Sequence, residues 1–312
     1  MRLFVIGGAG QLGRAIVERA TARGDEVIAG YRGRPLEGVA SVPIDKGDAA
    51  SVDQALAAVR PEAVIDTGAL HHVDYCELHP DEADRINAEG SRRVAEATRR
   101  VGGRTLFVST DFVFGDDGRS PHSENDPANP VSAYGRSKRA GEQAVLSVDG
   151  ANLVARPSVI YSWIPRGRRS DSASGKPVNF GCWLVDEVAR GNRVRIVTDQ
   201  RASPTLSGDL AGALLALLDR APGGIYHTAG ATPASRFDFS VALVRRVGLD
   251  ARLVDPVLTS SLAQKARRPR DSSLDSRALA STTGYQMSDL DAQTQAFAAE
   301  YLADIGTSAP SA

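Results

Sequence analysis

Lysine is unusually scarce in this chain. Only Lys46, Lys138, Lys176 and Lys265 carry an ammonium, and arginine supplies the rest of the 37 basic residues. So few lysines seldom meet a motif by chance, and each is a candidate for a defined task. An excess of either charge is also missing. The 37 basic residues face 38 acidic ones, for a net charge of −1. That balance excludes a general binder of nucleic-acid backbones and gives an anionic membrane no handle. Cys76 and Cys182 are the only cysteines, too few for a disulfide framework and suited to a reducing compartment. No apolar run approaches the roughly 18–20 residues that cross a bilayer. Met1–Ile6 leads straight into glycines without the pattern of a secretory signal. A cytoplasmic protein is expected, with no nucleic acid or membrane as partner.

What is present is an ordinary globular composition, 42% hydrophobic over 312 residues, enough for about two structural units. Short apolar runs alternate with helical patterns. Strands are expected at Leu3–Ile6, Glu26–Ala29, Ala63–Asp66, Thr105–Ser109 and Asn152–Arg156. Helices are expected at Gln11–Arg23, Ala50–Val59, Pro80–Val101 and Ser132–Val148. This alternation predicts an α/β fold, a Rossmann-type doubly wound parallel sheet. After Pro157 the pattern breaks, and Ser162–Val178, rich in Arg, Ser, Gly and Pro, reads as a loop. Later signals are Gly181–Arg190, Val194–Val197, Gly208–Leu218, Ile225–His227, Arg236–Val247 and Ser288–Leu302. The division expected is a nucleotide-binding unit at 1–160, with elements near 192–228 returning to it. A smaller substrate lobe takes 161–191 and 229–305, and 306–312 form a tail.

Directly after the first strand stand Gly7, Gly10 and Gly13. In a strand–glycines–helix setting they permit a tight turn, approach of a pyrophosphate to the backbone, and close helix–strand packing, with the helix N-terminus facing the phosphates. The acid that would read an NAD ribose after the second strand is missing; the chain has Gly30-Tyr31-Arg32-Gly33-Arg34. Arg32 suits a 2′-phosphate, which favours NADP over NAD. Asp45, after the third strand, is a candidate for the adenine edge.

Tyr134 and Lys138 stand four apart on an expected helix and so share a face. An ammonium there would lower the phenol's pKa towards neutrality and fit it for proton transfer beside a hydride transfer. Thr110, at the end of the preceding strand, can bond the same reacting oxygen.

With these motifs the chain resembles the extended short-chain dehydrogenase/reductase superfamily, and within it the dTDP-4-dehydrorhamnose reductase branch. The resemblance spans roughly residues 1–300. Its matching stretches are 10–13, 73–77, 109–114, Tyr134/Lys138, 156–158, Asn179-Phe180, 199–205 and 268–275. It implies reduction of a keto group on a nucleotide-linked deoxysugar with NADPH, NADH remaining open. Thr110, Tyr134 and Lys138 are then the catalytic triad. Gly7, Gly10, Gln11, Leu12 and Gly13 hold the pyrophosphate, Gly68, Ala69 and Leu70 line the adenosine side, and Ser109 and Ser158 lie by the cofactor. Asp111, Phe112 and Arg201 belong with the substrate. No metal is implied, and a homodimer is open. Departures concentrate where the sugar would lie: His71 replaces a Thr, Val159 an aromatic, and Phe112 the more usual Tyr. They point to shared chemistry on a different substrate.

Other features have plainer readings. His71, His72, Cys76 and His79 could suggest zinc, but they fall in a segment the resemblance already explains. Asp116, Asp117, Glu124 and Asp126 read as a solvated acidic loop, and Trp163 and Trp183 as packing. Arg166, Arg168 and Arg169 could clamp a diphosphate from a lid. Two rival functions share the motifs: an epimerase or dehydratase that retains its NAD, and a non-catalytic NADP-binding regulatory subunit like the β subunit of methionine adenosyltransferase.

Overall fold

The computed structural model describes residues 1–165, 167 and 179–307. The chain begins with β1 (Arg2–Ile6), α1 (Gln11–Ala22), β2 (Glu26–Tyr31), β3 (Ser41–Pro43), α2 (Ala49–Val59) and β4 (Ala63–Asp66). Then come α3 (Val73–Leu78), α4 (Pro80–Asp84), α5 (Gly90–Arg100), β5 (Arg104–Val108), α6 (Ala133–Val148) and β6 (Leu153–Arg156). One parallel sheet runs β3-β2-β1-β4-β5-β6. Its order reverses between β1 and β4, and a crevice opens beyond the strand ends at such a point. The strands read as apolar runs because both faces are covered. Val64, Ile65, Leu106, Phe107, Val154 and Ala155 have no exposed surface.

The second half weaves in and out of this sheet. β7 (Ile160–Tyr161), α7 (Phe180–Ala189), β8 (Val194–Val197), β9 (Arg201–Ala202), β10 (Thr205–Leu206), α8 (Ser207–Arg220) and β11 (Gly224–His227) follow. Next are β12 (Ala234–Ser235), α9 (Arg236–Arg246), β13 (Val254–Val257), α10 (Arg277–Thr283) and α11 (Leu290–Thr307). β11 adds to β6 as the seventh strand. Leu210, Leu214 and Leu217 of α8 pack with Ile16 of α1 against the sheet. Burial of each such leucine contributes about 1.5–3 kcal/mol. α8 and β11 join this sheet, whereas β8 pairs with β13 outside it. Leu279 and Met287 pack in the same core, with Ile16 and Leu214.

The lobe has its own core. Tyr161, Trp163, Phe239 and Phe297 pack there, with the Trp163 and Tyr301 rings 4.9 Å apart and nearly perpendicular. The helix expected at Pro80–Val101 is interrupted by a π-helical turn at Arg85–Glu89. The final helix runs on to Thr307, past the start of the expected tail. Most of the Ser162–Val178 loop, including Arg166, Arg168 and Arg169, lies outside the described residues.

Candidate active site

At the crevice the glycine turn takes the form its sequence suggests. Gly7 has φ +77°, and a Cβ on Gly13 would come within 2.1 Å of the Gly7 carbonyl oxygen. Gly10 is the N-cap of α1 and brings no side-chain cap, so the first-turn N–H groups stay available to an anion. Leu12 is buried beneath the turn, and the Gln11 side chain reaches back to the Ser207 hydroxyl at 3.0 Å. These residues fit a dinucleotide cradle. Arg32 is exposed just past β2 and makes no ion pair among the described residues. Asp45 spends a carboxylate oxygen on the Gly47 N–H at 2.8 Å.

The facing wall is the loop of Gly68, Ala69 and Leu70, and two residues to which the sequence assigned no role pin it in place. Lys46 donates to Asp66 at 2.6 Å, to the Gly68 carbonyl at 2.7 Å and to Ser91 at 2.9 Å. Asn87, in the π turn, accepts from the Leu70 N–H at 2.8 Å and donates to the Leu70 carbonyl and the Ser137 hydroxyl, both at 3.0 Å. Lysine scarcity had flagged Lys46; no signal marked Asn87.

Ser132 caps α6 by accepting from the Gly135 N–H, fixing the helix that presents Tyr134 and Lys138. The Thr110 hydroxyl neighbours the Tyr134 phenol and acts to lower its pKa, against the larger effect of burial. It also donates to Asp111 at 3.0 Å and accepts from the Phe112 N–H at 3.2 Å. Burial raises the Tyr134 pKa well above the usual phenol value. This reverses the expected lowering by Lys138, whose ammonium donates instead to the Val108 carbonyl at 2.7 Å, 3.9 Å from the Phe107 ring centre. Burial, with the Lys46 charge nearby, brings Lys138 down to about 7.

Ser109 is tied to Glu142 at 2.6 Å. Glu142 in turn holds Arg156 through two bonds of 2.8 and 2.7 Å. Burial alone would raise the Glu142 carboxyl, but Arg156, Ser109 and Arg139 hold it below its ordinary value. His227, buried next to Arg156, is pushed down to about 3. Ser158, expected beside the cofactor, turns its hydroxyl inward to Asp111 at 2.8 Å and accepts from the Ser203 N–H, so it supports Asp111. A third hydroxyl, that of Ser272, reaches Asp111 at 2.6 Å. Burial raises the Asp111 pKa in spite of these donors.

A cavity in front of this group is lined by Asp111, Phe112, Val159, Arg201, Arg236 and Ser272, among others. The structure thus brings four of the five expected substrate residues together. Val159 has φ +43°, a left-handed conformation that a β-branched residue adopts only under strain, as happens at functional sites. His71 stands apart and exposed, its ring nitrogen 3.5 Å from the Ala69 carbonyl. Its neighbours have local duties. His72 caps α3, Tyr75 and His79 stack at 4.2 Å, and the buried Cys76 thiol donates to the Leu70 carbonyl, with burial pushing its pKa up to about 11. Asp116 accepts from Arg267 and from the Arg270 N–H, and Glu124 from the His227 N–H.

Known proteins resemble this chain over most of its length. The family model described as "RmlD substrate binding domain" matches residues 1–303. A dTDP-4-dehydrorhamnose reductase of Streptomyces griseus is 35% identical over 280 residues, covering 88% of this chain and 85% of the relative. A dTDP-4-keto-6-deoxy-D-glucose reductase of Streptomyces niveus is 31% identical over 272 residues, covering 86% of each. The crystal structure of a Bacillus anthracis dTDP-4-dehydrorhamnose reductase in complex with NADP superposes with a TM-score of 0.84 at 26% identity, covering 96% of this chain and 98% of that one. With a family match over nearly its full length and relatives above 30% identity, the chain belongs to the RmlD substrate binding domain family, the dTDP-4-dehydrorhamnose reductase branch of the extended short-chain dehydrogenases/reductases.

Proposed function

We propose that this chain is an NADPH-preferring reductase of a keto group on a nucleotide-linked deoxysugar, with Thr110, Tyr134 and Lys138 as catalytic residues. The observation that carries this reading is the half-buried Tyr134 phenol, kept neutral by burial, beside Thr110 and next to Phe112, whose ring lies 6.0 Å away and lines the cavity. A neutral phenol is the proton-donating form, the one a carbonyl reduction requires. Thr110 orients the carbonyl oxygen, Tyr134 delivers its proton to that oxygen, and Lys138 places positive charge beneath the forming alkoxide. NADPH, when bound, supplies the hydride. The cradle of Gly7, Gly10 and Gly13 and the wall of Gly68–Leu70 hold it, and Arg32 offers a partner for its 2′-phosphate. The relatives' names support a dTDP-linked 4-keto-6-deoxy sugar as substrate.

A panel of 4-keto nucleotide sugars, assayed with NADPH and with NADH, tests this reading. Expected are NADPH consumption in step with alcohol formation, weaker turnover with NADH, and loss of about 100-fold or more in kcat in Tyr134→Phe with NADPH affinity retained. Isolation of the protein with one equivalent of tightly held NAD, and no net NADPH consumption, would instead establish an epimerase or dehydratase.

A further inference from the structure

The cavity lined by Phe112, the ring neighbour of Tyr134, contains a cation for which the proposed chemistry has no use. Arg236, the first residue of α9, lines it with Asp111, Phe112, Val159 and Gln200. The residue is held at two points. Its backbone N–H donates to the Gln200 carbonyl at 2.9 Å, and its guanidinium lies 4.7 Å from the centre of the Phe180 ring. Neighbouring arginines have carboxylates close by: Arg201 stands 3.5 Å from Asp271, and Arg268 lies 2.9 Å from Asp74. The guanidinium of Arg236 meets no hydrogen-bond acceptor among the described residues. The nearest carboxylate acting on it, Asp111, is taken up by the hydroxyls of Thr110, Ser158 and Ser272. A guanidinium keeps its charge in proteins, and leaving its donors unfilled in a partly desolvated cavity is costly. The chemistry that fills such a fork is a pair of coplanar oxyanion oxygens. The strained Val159 lines the same cavity, with its carbonyl taking the Thr205 N–H at 3.2 Å.

We propose that Arg236 is a specificity-determining residue whose guanidinium fork takes an oxyanion of the substrate, either the diphosphate joining sugar to nucleotide or a carboxylate on the sugar. The assignment rests on reading this cavity as a nucleotide-sugar site.

The test is calorimetric titration of the NADP-saturated protein with dTDP, UDP-glucose and UDP-glucuronate, comparing the parent with Arg236→Met and Arg236→Lys. Melting temperature and NADPH affinity serve as checks on folding. If the oxyanion is the diphosphate, Arg236→Met weakens all three probes by about tenfold or more, equivalent to ~1.4 kcal/mol. If it is a sugar carboxylate, only UDP-glucuronate is weakened. In both cases Arg236→Lys, which keeps the charge but loses the fork, falls in between, and NADPH affinity is unchanged. Folded variants that bind all three probes within about twofold of the parent overturn the role of Arg236 and leave the nucleotide-sugar reading standing. A parent that binds none of the probes overturns both.

Discussion

Tyr134 and Lys138 share a helix face, yet the ammonium bonds the Val108 carbonyl and not the phenol. Burial then moves the two groups in opposite directions, the phenol up and the ammonium down to about 7. The spacing of the pair was legible in the sequence. The direction of the phenol's shift was not, because it depends on how deeply the helix packs and on the second lysine, Lys46, whose charge acts on Lys138. Lys138 carries its charge below its pKa and loses it above. If that charge assists proton delivery, kcat/KM for the keto substrate declines as pH rises through about 7. Lys138→Arg, permanently charged, should lose this decline. A pH–rate profile of the two proteins decides the matter, and superimposable profiles would count against a role for the Lys138 charge.

At the scale of elements, the strand–glycine–helix start and the capped helix α6 follow the sequence closely, because a local pattern forms each. The π turn at Arg85–Glu89 was invisible: the helical apolar pattern runs on through it, and its product is a tertiary contact. That turn aims Asn87 at both backbone groups of Leu70. Asn87→Leu removes both bonds and leaves the loop of Gly68–Leu70 unpinned. It should cost about 1–3 kcal/mol in denaturant unfolding and weaken NADPH by roughly tenfold, with kcat at saturation less affected. The end of β2 makes a separate prediction. Arg32 makes no ion pair or side-chain hydrogen bond among the described residues, so Arg32→Asp should leave stability within about 0.5 kcal/mol. It should weaken NADPH by about tenfold or more while sparing NADH, through loss of one charge-assisted bond and repulsion of the 2′-phosphate. Equal losses for both cofactors would remove Arg32 from the 2′-phosphate site.

Across the whole molecule, the parallel sheet was readable from the alternation of the first half because most of its strands are joined by helical crossovers. The second half was harder. β7, β9, β10 and β12 are two residues each, too short to carry a period, and their partners are remote in sequence. Trp163 was expected in packing and lies in the lobe core. The support beneath the site, Asp111 with Ser158, Ser203 and Ser272, also comes from distant segments. Only their convergence shows that the strained Val159 and the fork of Arg236 face the same cavity. The proposed reaction is tested most directly by isotope transfer. With NADPH deuterated at the nicotinamide C4 position that gives up hydride and a dTDP-linked 4-keto-6-deoxy sugar, the product alcohol should carry one deuterium on its carbinol carbon. The rate of label transfer in Tyr134→Phe should fall by about 100-fold or more. An unlabelled product, or undiminished transfer in Tyr134→Phe, would contradict it.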